Sequence, residues 1–103
     1  MTILRKGPLA GEAPHPGELL EDELKSRNLS AHALAVALRL PASRIGEIVR
    51  RKRAVTPETA LRLARYFGGT AEIWLRLQLA YDLAAAEREI GKKVAAEVQP
   101  AAA

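Results

Sequence analysis

The chain has 103 residues, 49% of them hydrophobic and 27% charged, the balance of a folded domain with one modest core and not that of a disordered polar tail. It has no Cys and only two His, His15 and His32, at a spacing that suits no helical metal pair; a disulfide framework, a thiolate site, a Cys nucleophile and a metal centre are thereby excluded. The net charge of +4 is unevenly spread: residues 12–25 set five acids (Glu12, Glu18, Glu21, Asp22, Glu23) against Lys25, and residues 39–53 set six bases (Arg39, Arg44, Arg50, Arg51, Lys52, Arg53) against Glu47. Such a basic stripe points to a polyanionic partner, with two solvated helix faces as the plainer alternative. No apolar run approaches the roughly 20 residues of a membrane span, and MTILRKGPLAGEAP lacks the apolar stretch of a secretory leader, so a cytoplasmic protein with no membrane contact is expected.

Residues 1–15, with Gly7, Pro8, Gly11, Pro14 and no apolar period, read as an N-terminal arm. A first helix starts near Pro16, whose missing N–H is harmless in an opening turn, with His15 as its cap. Glu18 and the acids at 21–23 lie near the positive end of its dipole, Leu19, Leu20 and Leu24 form its buried face, and Asn28 suits a left-handed terminator. Ser30 caps a second, short helix, Ala31 to Leu38, whose Ala33, Ala35 and Ala37 let a neighbour approach closely. After Arg39-Leu40, Pro41 opens a third helix running to about Arg50, with Ile45, Ile48 and Val49 inward. Two short helices across a tight turn form a helix-turn-helix unit. Thr56-Pro57-Glu58 is the start signal of a fourth helix, which passes through Ala60, Leu61, Leu63, Ala64 and Phe67 and ends at Gly68-Gly69. Thr70 caps a fifth, reaching about Glu89, with Gly91 and Lys92-Lys93 at its end. Nothing alternates with the period of a strand, so the expected fold is an all-α five-helix bundle. Its parts are an arm (1–15), a domain with the fifth helix (16–90) and a flexible tail (91–103).

The stretch PASRIGEIVRRKR, residues 41–53, carries the functional reading. In a helix-turn-helix the second helix enters the major groove and presents its first residues to base edges. Ala42, Ser43 and Glu47 lie opposite the Ile45–Ile48–Val49 side, and Arg44 sits between the two faces. Ser43 can pair with any base; Arg44 could grip guanine or hold a phosphate; Glu47 could accept from a cytosine amino group, and its charge would repel phosphate. Arg50, Arg51, Lys52 and Arg53 follow on a loop suited to phosphates. Ser30 and His32 in the first turn of the second helix, and Arg39 in the turn, extend that contact.

These residues bring a family into view. The chain resembles the Cro/C1-type, XRE-like helix-turn-helix proteins of lambda-repressor-like fold, and within them the HigA/VapI-like antitoxins of addiction modules. HPGELLEDEL (15–24), LPASRIGEIVRRKRAVTPETALRLARYFGGTAEIW (40–74) and LRLQLAYDL (75–83) carry the likeness, which spans about residues 15–86. The resemblance implies a homodimer on double-stranded, palindromic operator DNA. It also implies a partner from the adjacent gene: a small basic RNase toxin, HigB-like and related to RelE, that cuts mRNA on the ribosome and that the antitoxin holds inactive while repressing its own operon. The chain departs from the family pattern in three places. Arg39 stands where Gly is frequent in the turn, Ala31 where many relatives carry Gln, and Arg50-Arg51 where Asn-Gly is frequent. These bear on the operator sequence and leave the DNA-binding class unaffected.

The fifth helix has two apolar faces at helical spacing. Ile73, Trp74, Leu77, Ala80, Tyr81 and Ala84 form one, expected to pack on the core. Leu75, Leu79, Leu83, Ala86 and Ile90 form the other, available to a dimer partner or the toxin, or covered by the arm through Ile3 and Leu4. Trp74 and Tyr81 read as a core pair. The acidic face, with Glu18, Glu21 and Asp22, could dock on a basic toxin or be solvated. No nucleophile–base or metal constellation is present, so no enzyme and no cofactor is expected. The rivals are a stand-alone dimeric regulator of the same fold and a helical adaptor that does not bind DNA.

Overall fold

Three of the five described helices begin where a side chain accepts from the opening turn, and two of these open on Pro; at the other two, the Ser43 and Thr70 hydroxyls make no capping bond. The computed structural model describes residues 13–102, which form α1 (Pro16–Ser26), α2 (Ala31–Leu38), α3 (Arg44–Val49), α4 (Pro57–Phe67) and α5 (Ala71–Glu97), with no strand among the described residues. The imidazole Nδ1 of His15 accepts from the Gly17 N–H at 2.9 Å, and Pro16 fills the first helical position. The Ser30 hydroxyl accepts from the Ala33 N–H at 3.0 Å, and that of Thr56 from the Thr59 N–H at 3.3 Å ahead of Pro57.

Three helix ends share one device. At Asn28, Arg39 and Arg51 the chain turns left-handed, with φ of 52°, 59° and 63°. The next residue then donates back to a carbonyl five positions earlier: Leu29 to Leu24, Leu40 to Ala35, Lys52 to Glu47. This is the Schellman closure, and glycine is its usual occupant. Arg39 takes it at a cost of about 1 kcal/mol, offset in part by the seating of Leu40 on the core. Gly68 and Gly69, with φ of 91° and 83°, turn the chain between α4 and α5.

The core is a single cluster of Leu20 and Leu24 from α1, Leu34, Ala35 and Leu38 from α2, Ile45 and Ile48 from α3, Val55, Ala60 and Leu63 around α4, and Trp74 from α5. α3 wedges between α1 and α2, while α5 lies along α4 and touches α1. Gly17 makes the α1–α3 contact possible, because a Cβ there would run into the Ile48 carbonyl.

Two expected boundaries differ. α3 begins at Arg44 and not at Pro41: the Pro41 carbonyl accepts from the Arg44 N–H at 2.9 Å, an isolated turn that spends Ala42 and Ser43 before the helix. α5 does not stop near Glu89 but continues through Gly91 to Glu97. One interior glycine costs about 1 kcal/mol, and the Ala, Glu and Lys residues around it favour helix. This 27-residue rod gives the molecule its length of 53 Å against 23 and 22 Å in the other directions.

The faces of α5 also differ in detail. Trp74, Gln78 and Ala84 are buried, but Ile73 and Ala80 point to solvent. Leu75 packs against the core, which takes it out of the second face. Leu79, Leu83 and Ile90 of that face are 66%, 58% and 48% exposed, and Ala86 is exposed beside them. Ile3 and Leu4 lie outside the described residues. Trp74 and Tyr81 form no pair. Trp74 lies 6.3 Å from the Phe67 ring, which is also edged by Tyr66 and capped by the Arg27 guanidinium, whereas Tyr81 meets His15 edge-on at 4.7 Å.

Candidate nucleic-acid interface

The end of α2, its turn and α3 put the polar residues of the stripe outside while Leu38, Ile45 and Ile48 hold the two helices together. Ala42 and Ser43 are exposed immediately before α3. The Ser43 hydroxyl makes no capping bond, which leaves it available at the helix mouth. Arg44, the first residue of α3, is half-buried, and Glu47 follows one turn later.

Ser30 and His32 are exposed at the start of α2. Ser30 and Arg50 line one open groove with Glu21, Lys25, Ala31 and Gly46, so the N-terminal end of α2 and the C-terminal end of α3 face a common space. Arg39 is exposed at the other end of α2, beside Leu61, Arg62, Arg65 and Tyr66 of α4. Arg62 donates to the Leu38 carbonyl at 3.0 Å and pairs with Glu58, fastening α4 to the last turn of α2. Sequence reasoning did not single out this contact.

The loop bases divide into two kinds. Arg50 and Lys52 form no ion pair among the described residues. Arg51 reaches back to Glu18 of α1 at 2.8 Å, and Arg53 reaches Glu47 of α3 at 2.7 Å. Hydrogen bonding from Arg53 holds the Glu47 carboxyl below the usual range, and the bond to Glu18 raises Arg51 further. On α1, Glu21 pairs with Lys25 and Glu23 with Arg27, so the acidic face is largely matched within the chain; Asp22 is exposed and forms no such pair among the described residues.

Gln78 is the polar residue that the apolar pattern missed. It is 7% exposed; its carbonyl oxygen accepts from the Val55 N–H at 2.8 Å, and its amide donates to Asp82 at 2.9 Å. It thus anchors the exit of the basic loop on α5. Neither histidine belongs to a ligand cluster, and no group of His, Asp and Glu among the described residues is arranged to hold a metal. Nor is any described helix long and apolar enough to cross a membrane.

This arrangement matches known proteins. The helix-turn-helix family model matches residues 20–75. The curated virulence-associated protein I of Dichelobacter nodosus is 60% identical over 78 residues, which cover 75% of this chain and 72% of that protein. Among solved structures, the Pseudomonas aeruginosa antitoxin HigA with the higBA promoter is 41% identical with a TM-score of 0.83, covering 87% of this chain and 99% of that one. The antitoxin GraA in complex with its operator is 37% identical with a TM-score of 0.86, covering 98% of this chain and 100% of that one.

Proposed function

This chain belongs to the helix-turn-helix family of XRE type, and from that membership we propose that it is an operator-binding antitoxin that represses its own operon and neutralises a small basic RNase encoded beside it. One observation carries the reading: antitoxins solved on their own promoter or operator share this fold over nearly its whole length, and here the same fold exposes a basic stripe. Ala42, Ser43, Arg44 and Glu47 read base edges at the mouth of α3. Ser30 and His32, Arg39, and the run Arg50, Arg51, Lys52 and Arg53 hold phosphates on either side. The exposed row Leu79, Leu83, Ala86 and Ile90 joins two copies, as a palindromic operator requires. Of the acids assigned to the toxin, Glu18 and Glu21 already have partners within the chain, which leaves Asp22 as the open contact.

Two measurements test this. In the first, the protein is titrated with a duplex from its own promoter and with a shuffled duplex across a salt series. Arg50→Ala and Lys52→Ala each weaken both duplexes and lower the salt slope by about 0.9, whereas Arg44→Ala reduces the preference for the promoter. In the second, the neighbouring small reading frame is expressed with and without this chain. Toxicity relieved by co-expression, with co-purification, supports the antitoxin role; a harmless or unbound neighbour leaves a stand-alone repressor.

A further inference from the structure

The two arginine–carboxylate bridges of the basic loop occupy groups that the reading above assigns to DNA. Gly17 lets the first turn of α1 sit directly on the Ile48 carbonyl at the end of α3. The next residue, Glu18, is thereby set against Arg51, the left-handed residue that closes α3, and the two side chains meet at 2.8 Å. On the other side of the loop, Glu47 meets Arg53 at 2.7 Å. The bases of the run therefore alternate between open (Arg50, Lys52) and engaged (Arg51, Arg53). All four side chains of the bridges are only partly covered, with Glu18 and Arg51 about half exposed, so both pairs stand in water where a phosphate can compete for the cation.

Resting on the DNA-binding reading, we propose that Glu18 is a specificity-determining residue. It occupies Arg51 as a phosphate surrogate, withholding that cation from non-specific duplex and releasing it only when base contacts fix the register on the operator. An exposed ion pair is weak, and that suits the role. A loosely docked duplex lacks the fixed geometry needed to displace the carboxylate. In the operator complex the neighbouring phosphate is held in place and takes over the guanidinium. The carboxylate therefore suppresses weak binding more than tight binding, and discrimination rises without any additional base contact. Glu47 acts on Arg53 in the same way, but it also belongs to the base-reading set, so Glu18 is the cleaner test.

The experiment compares wild type, Glu18→Gln, Arg51→Gln and the double variant on promoter and shuffled duplexes over a salt series, with thermal unfolding as a check on integrity. Glu18→Gln is expected to tighten the shuffled duplex about threefold, to steepen its salt slope by about 0.9, and to change promoter affinity less. Arg51→Gln is expected to weaken the promoter and barely move the shuffled duplex. In the Arg51→Gln background, Glu18→Gln is expected to have no further effect. The proposal is overturned if Glu18→Gln shifts both duplexes alike, or if its effect persists without Arg51, which would make it a matter of net charge only. Failure of the wild type to prefer its promoter overturns the DNA-binding reading itself, a separate result from a wild type that discriminates and a Glu18→Gln variant that discriminates equally well.

Discussion

His15 does three things with one ring: it caps α1, supports Tyr81 and stays neutral in order to do both. Its Nδ1 can accept from Gly17 only while unprotonated, and burial, reinforced by nearby Arg51, lowers its pKa from the ordinary value of 6.5 against the opposing pull of Asp82 and Glu18. The unfolded chain therefore takes up the proton first as the pH falls. Stability is complete above about pH 6.5 and declines as the pH drops through that value towards the lower folded one. A melting series from pH 7.5 to 5 should follow that decline, and His15→Asn, which keeps a capping oxygen but does not titrate, should flatten it. Gly17 is equally specific. Gly17→Ala drives a methyl into the Ile48 carbonyl and should destabilise the fold by about 2–3 kcal/mol in urea unfolding. The cap at His15 was legible in the sequence because capping is local. The need for glycine at 17 was not, because the obstacle is a carbonyl 31 residues away, contributed by packing alone.

At the scale of elements, the expected bounds agree with the structure except at the start of α3 and the end of α5. Ser30, Thr56-Pro57 and Gly68-Gly69 announce themselves, and the structure uses each as expected. The end of α5 misleads because Gly91-Lys92-Lys93 resembles a stop signal, yet an interior glycine is a small penalty on a rod otherwise rich in helix formers. The added turns bear on the proposed pairing of two copies. They bring Val94, 46% exposed, into line beyond Ile90 and lengthen the row that begins at Leu79. Covering the parts of Leu79, Leu83 and Ile90 still exposed, about half to two-thirds of each, against a second copy is worth roughly 1–2 kcal/mol each. Leu79→Glu should therefore halve the mass seen by light scattering while leaving the helix content intact; an unchanged mass would mean that this row does not join two copies.

At the scale of the whole molecule, the division into an acidic and a basic region was legible, but the pairing between the two was not. Glu18 and Arg51 are separated by 33 positions, and no local pattern joins them. The base-reading and phosphate-contacting positions are proposed from the helix-turn-helix spacing, whereas the state of each cation depends on which carboxylate the fold brings within reach. Gln78 escaped notice for a related reason: a polar residue on an apolar face looks like an interruption until its buried partner is known. That partner has a mechanical consequence. The Val55 N–H, two residues after Arg53, is held by a side chain of α5 and not by the helices that flank the loop. If α5 slides or rolls when a second molecule grips it, either this buried bond breaks or the loop is drawn along. Gln78 thus acts as a tie rod between α5 and the loop that carries the basic residues.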